Sequence, residues 1–143
     1  MRQLARSSVV WLVCLVWLLP ACPSTTSGGY CELDTDCGQS QICARDMECI
    51  APGHTRGVKT TWTIGGQAAT ATTCATMPDF YINFYGTDPQ DAFGYAPVPC
   101  VQGQFFIDKL PTRFDQVELG AEGWFDVVHQ VDASGMAAFD LTP

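Results

Sequence analysis

FYINFY, residues 80–85, decides the fold class. Phe80, Ile82 and Phe84 alternate with Tyr81, Asn83 and Tyr85, and Gly86 ends the run. Successive side chains on a strand point to opposite faces, so this alternation describes a strand with one face in a core and the other turned outward. Upstream, Val58, Thr60, Trp62 and Ile64 share one face, Lys59, Thr61 and Thr63 share the other, and Gly65-Gly66 stops the pattern. Downstream, Phe105 and Ile107 read as a third strand closed by Leu110-Pro111. Residues 113–119 and 124–131 read as two more, separated by Gly120 to Gly123. Asp132 to Gly135 is a turn, and residues 136–141 close the sheet. Residues 67–77 (QAATATTCATM) fit either a short helical turn or an edge strand. Short strands with regular turn signals and no helical period predict an all-β fold, an antiparallel β-sandwich over residues 57–143.

This segment resembles the Ig-like or transthyretin-like sandwiches of lipoproteins from myxobacteria and their relatives. The residues that carry the likeness are Thr61-Trp62-Thr63-Ile64 before the glycine pair, Cys74, Pro99-Cys100 ahead of Gly103-Gln104-Phe105, and Leu110-Pro111. The resemblance implies a fold and a location rather than an activity. Cys74 and Cys100 fall in the loops flanking the 80–85 strand, and a bridge between them would contribute roughly 3–4 kcal/mol by restricting the unfolded chain.

Residues 31–49 read CELDTDCGQSQICARDMEC, with five residues between each neighbouring pair of Cys31, Cys37, Cys43 and Cys49. Too few large apolar side chains occur here to build a core, so crosslinks must supply the order. With its Asp36-Cys37-Gly38 step, the segment resembles short Cys-rich modules of the EGF-like or Dickkopf-like kind. Four cysteines permit three connectivities. The interlocked pairing, Cys31 with Cys43 and Cys37 with Cys49, is the one favoured. Residues 31–50 are thus expected as a Cys-rich module, with residues 51–56 as a linker around Pro52 and Gly53.

The N-terminus gives the address. Arg2 and Arg6 precede Val9 to Leu19, an apolar stretch too short for a membrane span, which needs about 20 residues. A basic start, a short apolar stretch and small residues are the layout of a secretory signal, here residues 1–21. Leu18-Leu19-Pro20-Ala21-Cys22 resembles a bacterial lipobox, which implies cleavage before Cys22 and acyl chains on that cysteine. Ordinary cleavage would instead leave Cys22 as a thiol. The parity of the cysteines favours lipid: of eight, Cys14 leaves with the signal and Cys22 is acylated, so an even six remain. Two acyl chains already anchor durably. Residues 22–30 then form a lipidated tether rich in Pro, Ser, Thr and Gly. The expected location is the cell envelope, at the outer membrane.

Charge narrows the function. Loss of Arg2 and Arg6 takes the formal charge from -8 to -10, which excludes nucleic acid as a partner and leaves the lipid to hold the membrane. Zinc is disfavoured by the wide cysteine spacing and the oxidising compartment. Calcium is disfavoured because a loop starting at Asp34 would need Glu at its twelfth position, where Arg45 stands. Neither histidine reads as a catalyst: His54 lies in the linker, and His129 shares a strand face with Phe125, Val127 and Val131. No nucleophile elbow, zinc-protease helix or phosphate loop occurs. A non-enzymatic binding or structural role without cofactor is expected. The candidate ligand face is Tyr81, Asn83 and Tyr85, with Tyr95 and Trp124 as possible additions, because outward rings beside a polar group stack on sugars or anchor proteins.

Overall fold

The computed structural model describes residues 30–88 and 90–142, and all regular structure in it apart from three short 3-10 turns is strand. The expected signal, Cys22 and nearly all of the tether lie outside the described residues. The first element is a two-stranded antiparallel ribbon of β1 (Ile42–Cys43) and β2 (Cys49–Ile50). Cys31 bonds Cys43 and Cys37 bonds Cys49, the interlocked connectivity, and each bridge closes twelve positions of chain. A 3-10 turn at Pro52–His54 follows, and β3 (Thr55–Ile64) begins within the stretch expected to be linker.

Two four-stranded sheets make up the rest. In the first, β3 is central. One of its edges pairs with β10 (Met136–Leu141), while the other pairs with β7 (Gln104–Pro111) and then with the short β4 (Gln67–Ala68). The second runs in the order β6 (Ala92–Val98), β5 (Phe80–Tyr85), β8 (Gln116–Ala121), β9 (Phe125–Gln130). Every pairing is antiparallel except β10 with β3, which is parallel. Alternation did what elementary geometry requires. Val58, Thr60, Trp62 and Ile64 of β3 meet Phe80, Ile82 and Phe84 of β5 across the sandwich, joined by Val117, Leu119, Phe139 and Leu141. Trp62 and Phe80 pack edge to face at 5.9 Å, an arrangement that the charge distribution of aromatic rings favours.

Sequence reasoning missed β6, because Gly94 and Pro97 punctuate a stretch that otherwise carries strand residues. It also placed the strand expected over residues 113–119 too early: a turn at Thr112-Arg113 and two irregular residues, Phe114 and Asp115, come before β8 starts. The ambiguous 67–77 segment is both alternatives in succession. Gly65 (φ 56°) and Gly66 (φ 74°) make a two-residue turn that requires φ above zero at both positions, folding Gln67–Ala68 back on β3. Turns then carry the chain past Cys74.

That cysteine bonds Cys100, with Cα atoms 5.8 Å apart. The 69–79 connection takes the chain from the first sheet to the second, and the 99–103 connection takes it back, so the bridge joins the two crossings. Trp62 adds to the same point, its indole Nε1–H donating to the Cys100 carbonyl at 2.7 Å.

The Cys-rich module is docked on the sandwich through charge. In β7 an extra residue interrupts the pairing with β3, since Arg56 opposes Leu110 but Val58 opposes Ile107. Lys109 sits at this bulge with φ 49°, and a bulge turns its side chains out of the sheet's alternation. The side chains of Asp108 and Lys109 both reach the module. Lys109 Nζ donates to both carboxylate oxygens of Asp34 at 2.8 Å, and Arg45 Nε donates to Asp108 at 2.7 Å. Arg113 completes the seam, pairing with Asp46 and with Glu48 of the module and, through Nε at 2.6 Å, with Asp91 of the sandwich.

Two tests follow from this packing. Thr60 is fully buried with its hydroxyl unpartnered, so Thr60→Val, nearly the same shape, should stabilise the fold by about 1 kcal/mol in urea unfolding. The second concerns acid. The bond from Lys109 and the Cys43 N–H hold the Asp34 carboxyl below its ordinary 3.8. Its folded pKa is depressed, so its contribution to docking is present above the unfolded value and is lost as pH falls through the folded one. Lys109→Met should move the Asp34 titration, followed by carboxyl NMR, back toward 3.8.

Candidate functional site

The outward face of the second sheet carries the residues singled out by the sequence. β5 contributes Tyr81, Asn83 and Tyr85, all half-buried, while its alternate residues fill the core. Opposite them on β8 stand Gly120, Glu118 and Gln116, and beyond these on β9 stand Asp126, Val128 and Gln130. On the β6 side, Gly94 faces Asn83 and Ala92 faces Tyr85.

Two glycines let these groups lie flat. A Cβ at position 120 would fall 2.4 Å from the Tyr81 ring, and one at position 94 would fall 2.0 Å from the Asn83 amide oxygen. Any side chain at either site would push the β5 group off the sheet. Between them, Glu118 is nine-tenths buried and accepts two hydrogen bonds at one oxygen, from Asn83 Nδ2 and from the Tyr85 hydroxyl, both at 2.7 Å. A buried carboxylate needs such donors. The bond from its hydroxyl to Glu118, together with burial, raises the Tyr85 phenol above its ordinary 10.0.

Tyr81 belongs to a different neighbourhood. With Ala121, Glu122, Gly123, Trp124, Phe125 and Asp126 it lines a recess of about 360 Å³ at the turn joining β8 and β9. Trp124 is 56% exposed there. Burial first, and then the charges of Glu118, Asp126 and Glu122, raise the Tyr81 phenol as well.

The sequence face therefore divides. Tyr85 and Asn83 are committed to Glu118, whereas Tyr81 joins Trp124. Tyr95 does not join either group: its register opposite Ile82 turns it inward, where it packs on Phe84, Phe93 and, at 5.1 Å, on Phe105 of the facing sheet. Glu118 escaped notice because an acid within an outward-facing set reads as solvated charge. Its burial follows from its cross-strand position, opposite Asn83 and diagonal to Tyr85 on β5.

The remaining candidates are quickly placed. His54 is exposed, and its carbonyl accepts from the Thr112 N–H. His129 stacks on Phe139 at 4.4 Å, with Nδ1 2.7 Å from the Ala138 carbonyl, a contact that bridges the edges of the two sheets. The sulfurs of Cys31, Cys37 and Cys49 cluster within 4.8 Å, but as disulfides they are not the thiolates that ligate metals. A hollow of about 440 Å³ beside the module is crossed by the Lys109–Asp34 pair. Among the described residues no helix is long and apolar enough to cross a membrane. Comparison with protein-family models, with curated proteins and with solved structures finds no match to this chain.

The Tyr85–Glu118 bond has a measurable pH signature. Because the folded phenol pKa is raised, the bond's contribution is fully present below the unfolded value near 10.0 and is lost as pH rises through the folded value. Tyr85→Phe should remove that alkaline loss and cost about 1–2 kcal/mol at neutral pH, since it takes one donor from a buried carboxylate. Urea unfolding across pH 7 to 11 reads both effects.

Proposed function

We propose that the chain is an exported lipoprotein, held to the cell envelope by lipid on Cys22, whose folded part has a non-enzymatic binding or structural role. One observation carries this reading. Cys31, Cys37, Cys43, Cys49, Cys74 and Cys100 are all consumed in three disulfides, so none of them is left to pair with Cys22. Structural disulfides persist in oxidising compartments. The basic start, the short apolar stretch and the Leu19-Pro20-Ala21-Cys22 boundary supply a route there, and they give the remaining cysteine an acyl chain. The likeness to EGF-like modules and to Ig-like sandwiches of myxobacterial lipoproteins agrees with this. Outer-membrane attachment, facing the periplasm or the surface, is the corresponding location.

For the exposed part, the partner is a protein or a glycan. A carbohydrate-binding role for the Tyr81, Asn83 and Tyr85 face is the second reading, favoured by the Tyr81 ring lying across Gly120 on the same sheet face as the polar groups of Asn83 and Tyr85. A glycan array with the purified chain tests it, and saturable binding lost in Tyr81→Ala is the expected result.

Lipidation has a direct test. Intact mass of the membrane-extracted protein should match a chain beginning at Cys22 and carrying two or three acyl groups. Cys22→Ala should leave an unprocessed precursor or release the protein from the membrane fraction. An unmodified Cys22 N-terminus in the wild type would refute the anchor.

A further inference from the structure

The recess at the β8–β9 turn is built unlike the rest of the surface. Its walls are the exposed Trp124 indole and the Tyr81 ring, the latter laid across Gly120. Its rim carries Glu122 and Asp126, both exposed, and neither pairs with a cation among the described residues. The cations among the described residues lie elsewhere. Arg45, Lys109 and Arg113 are committed to the seam with the Cys-rich module, and Arg56 donates to the Phe114 carbonyl at 2.9 Å. Lys59 lies on β3, in the other sheet. Aromatic faces and unpaired carboxylates thus meet in one concavity where no positive charge of the described residues answers them.

We propose that this recess receives a lysine or arginine side chain of a basic protein partner. The proposal rests on the binding role assigned above and names the chemistry of what is bound. An ammonium or guanidinium over an indole or phenol face is attracted by the ring's negative face. The same group offers only hydrogen-bond donors, and carboxylates offer only acceptors, so Glu122 and Asp126 match it as they match no anion. The recess of about 360 Å³ admits a single such head group with part of its stem. On an acidic chain this placement also draws a basic partner in from a distance. A sugar fits less well, because the donors best placed to orient one, the Asn83 amide and the Tyr85 hydroxyl, are already spent on Glu118.

Calorimetric titration of the full chain, extracted in non-ionic detergent, tests the assignment with a capped tri-arginine peptide. The control is the capped tri-citrulline peptide, nearly the same shape without the charge. Saturable binding of the arginine peptide is expected, at least about tenfold tighter than the control and weakened by salt. Trp124→Ala, and separately Glu122→Gln with Asp126→Asn, should each cost about tenfold in affinity. Both variants should keep the wild-type urea unfolding midpoint, which shows that the fold is intact. Equal affinity for the two peptides, or wild-type affinity in either folded variant, would overturn the proposal. So would a neutral oligosaccharide that saturates the recess where the peptide does not. Crosslinking of a partner through another face would overturn it while leaving the binding role intact.

Discussion

The sandwich depends most on the point where two of its four crossings between sheets meet. The chain leaves the first sheet through residues 69–79 and returns through residues 99–103, and the Cys74–Cys100 bridge ties these passages together. Trp62, at the centre of the first sheet, donates its indole hydrogen to the Cys100 carbonyl and packs on Phe80 of the second. A covalent bond, a buried hydrogen bond and an aromatic contact therefore converge within one corner. The two layers hold their relative position there. A domain of this size buries a limited apolar area, so such a constraint is a large share of what keeps it folded.

Charge performs the second task. An acidic chain has few cations to distribute, and three of those in the described residues are spent joining the Cys-rich module to the sandwich. Surface pairs are individually weak, on the order of 0–1 kcal/mol, yet here they share residues. Arg113 engages Asp46, Glu48 and Asp91 together, and the side chain of Asp46 is only 8% exposed. The left-handed backbone at Lys109 is the cost of presenting Asp108 and Lys109 to that seam. Among the described residues, the β8–β9 turn is left with the carboxylates of Glu122 and Asp126 unpaired.

Much of the fold was legible because alternation and pleat share a period of two. FYINFY placed Phe80, Ile82 and Phe84 in the core and Tyr81, Asn83 and Tyr85 outside it, and the glycine pair after Ile64 marked a turn. What alternation does not encode is which strands become neighbours. The parallel pairing of the last strand with β3, the inward turn of Tyr95 and the burial of Glu118 all depend on cross-strand partners that no local pattern contains. β6 was hidden for a related reason, since Gly94 is a turn residue in sequence and, in space, the gap that lets the Asn83 amide lie flat. The candidate site was half visible: its β5 members follow from alternation. The recess needs Trp124, which lies beside Gly123 at a turn and gains meaning only from the proximity of Tyr81.

The parallel pairing of β10 with β3 also has a kinetic consequence. It joins Lys59 to Met136, so the central strand gains its second neighbour only by closing a loop that contains most of the domain. Closing loops of that length precedes any reward from the contact, which slows the final step. The Cys-rich module is the opposite case, with each bridge spanning only twelve positions. Its crosslinks can form while the sandwich is still incomplete. The crosslinked module thus has short loops to close and the β3–β10 pairing a long one, and until that pairing forms β3 presents an open edge, the surface most vulnerable to misassembly.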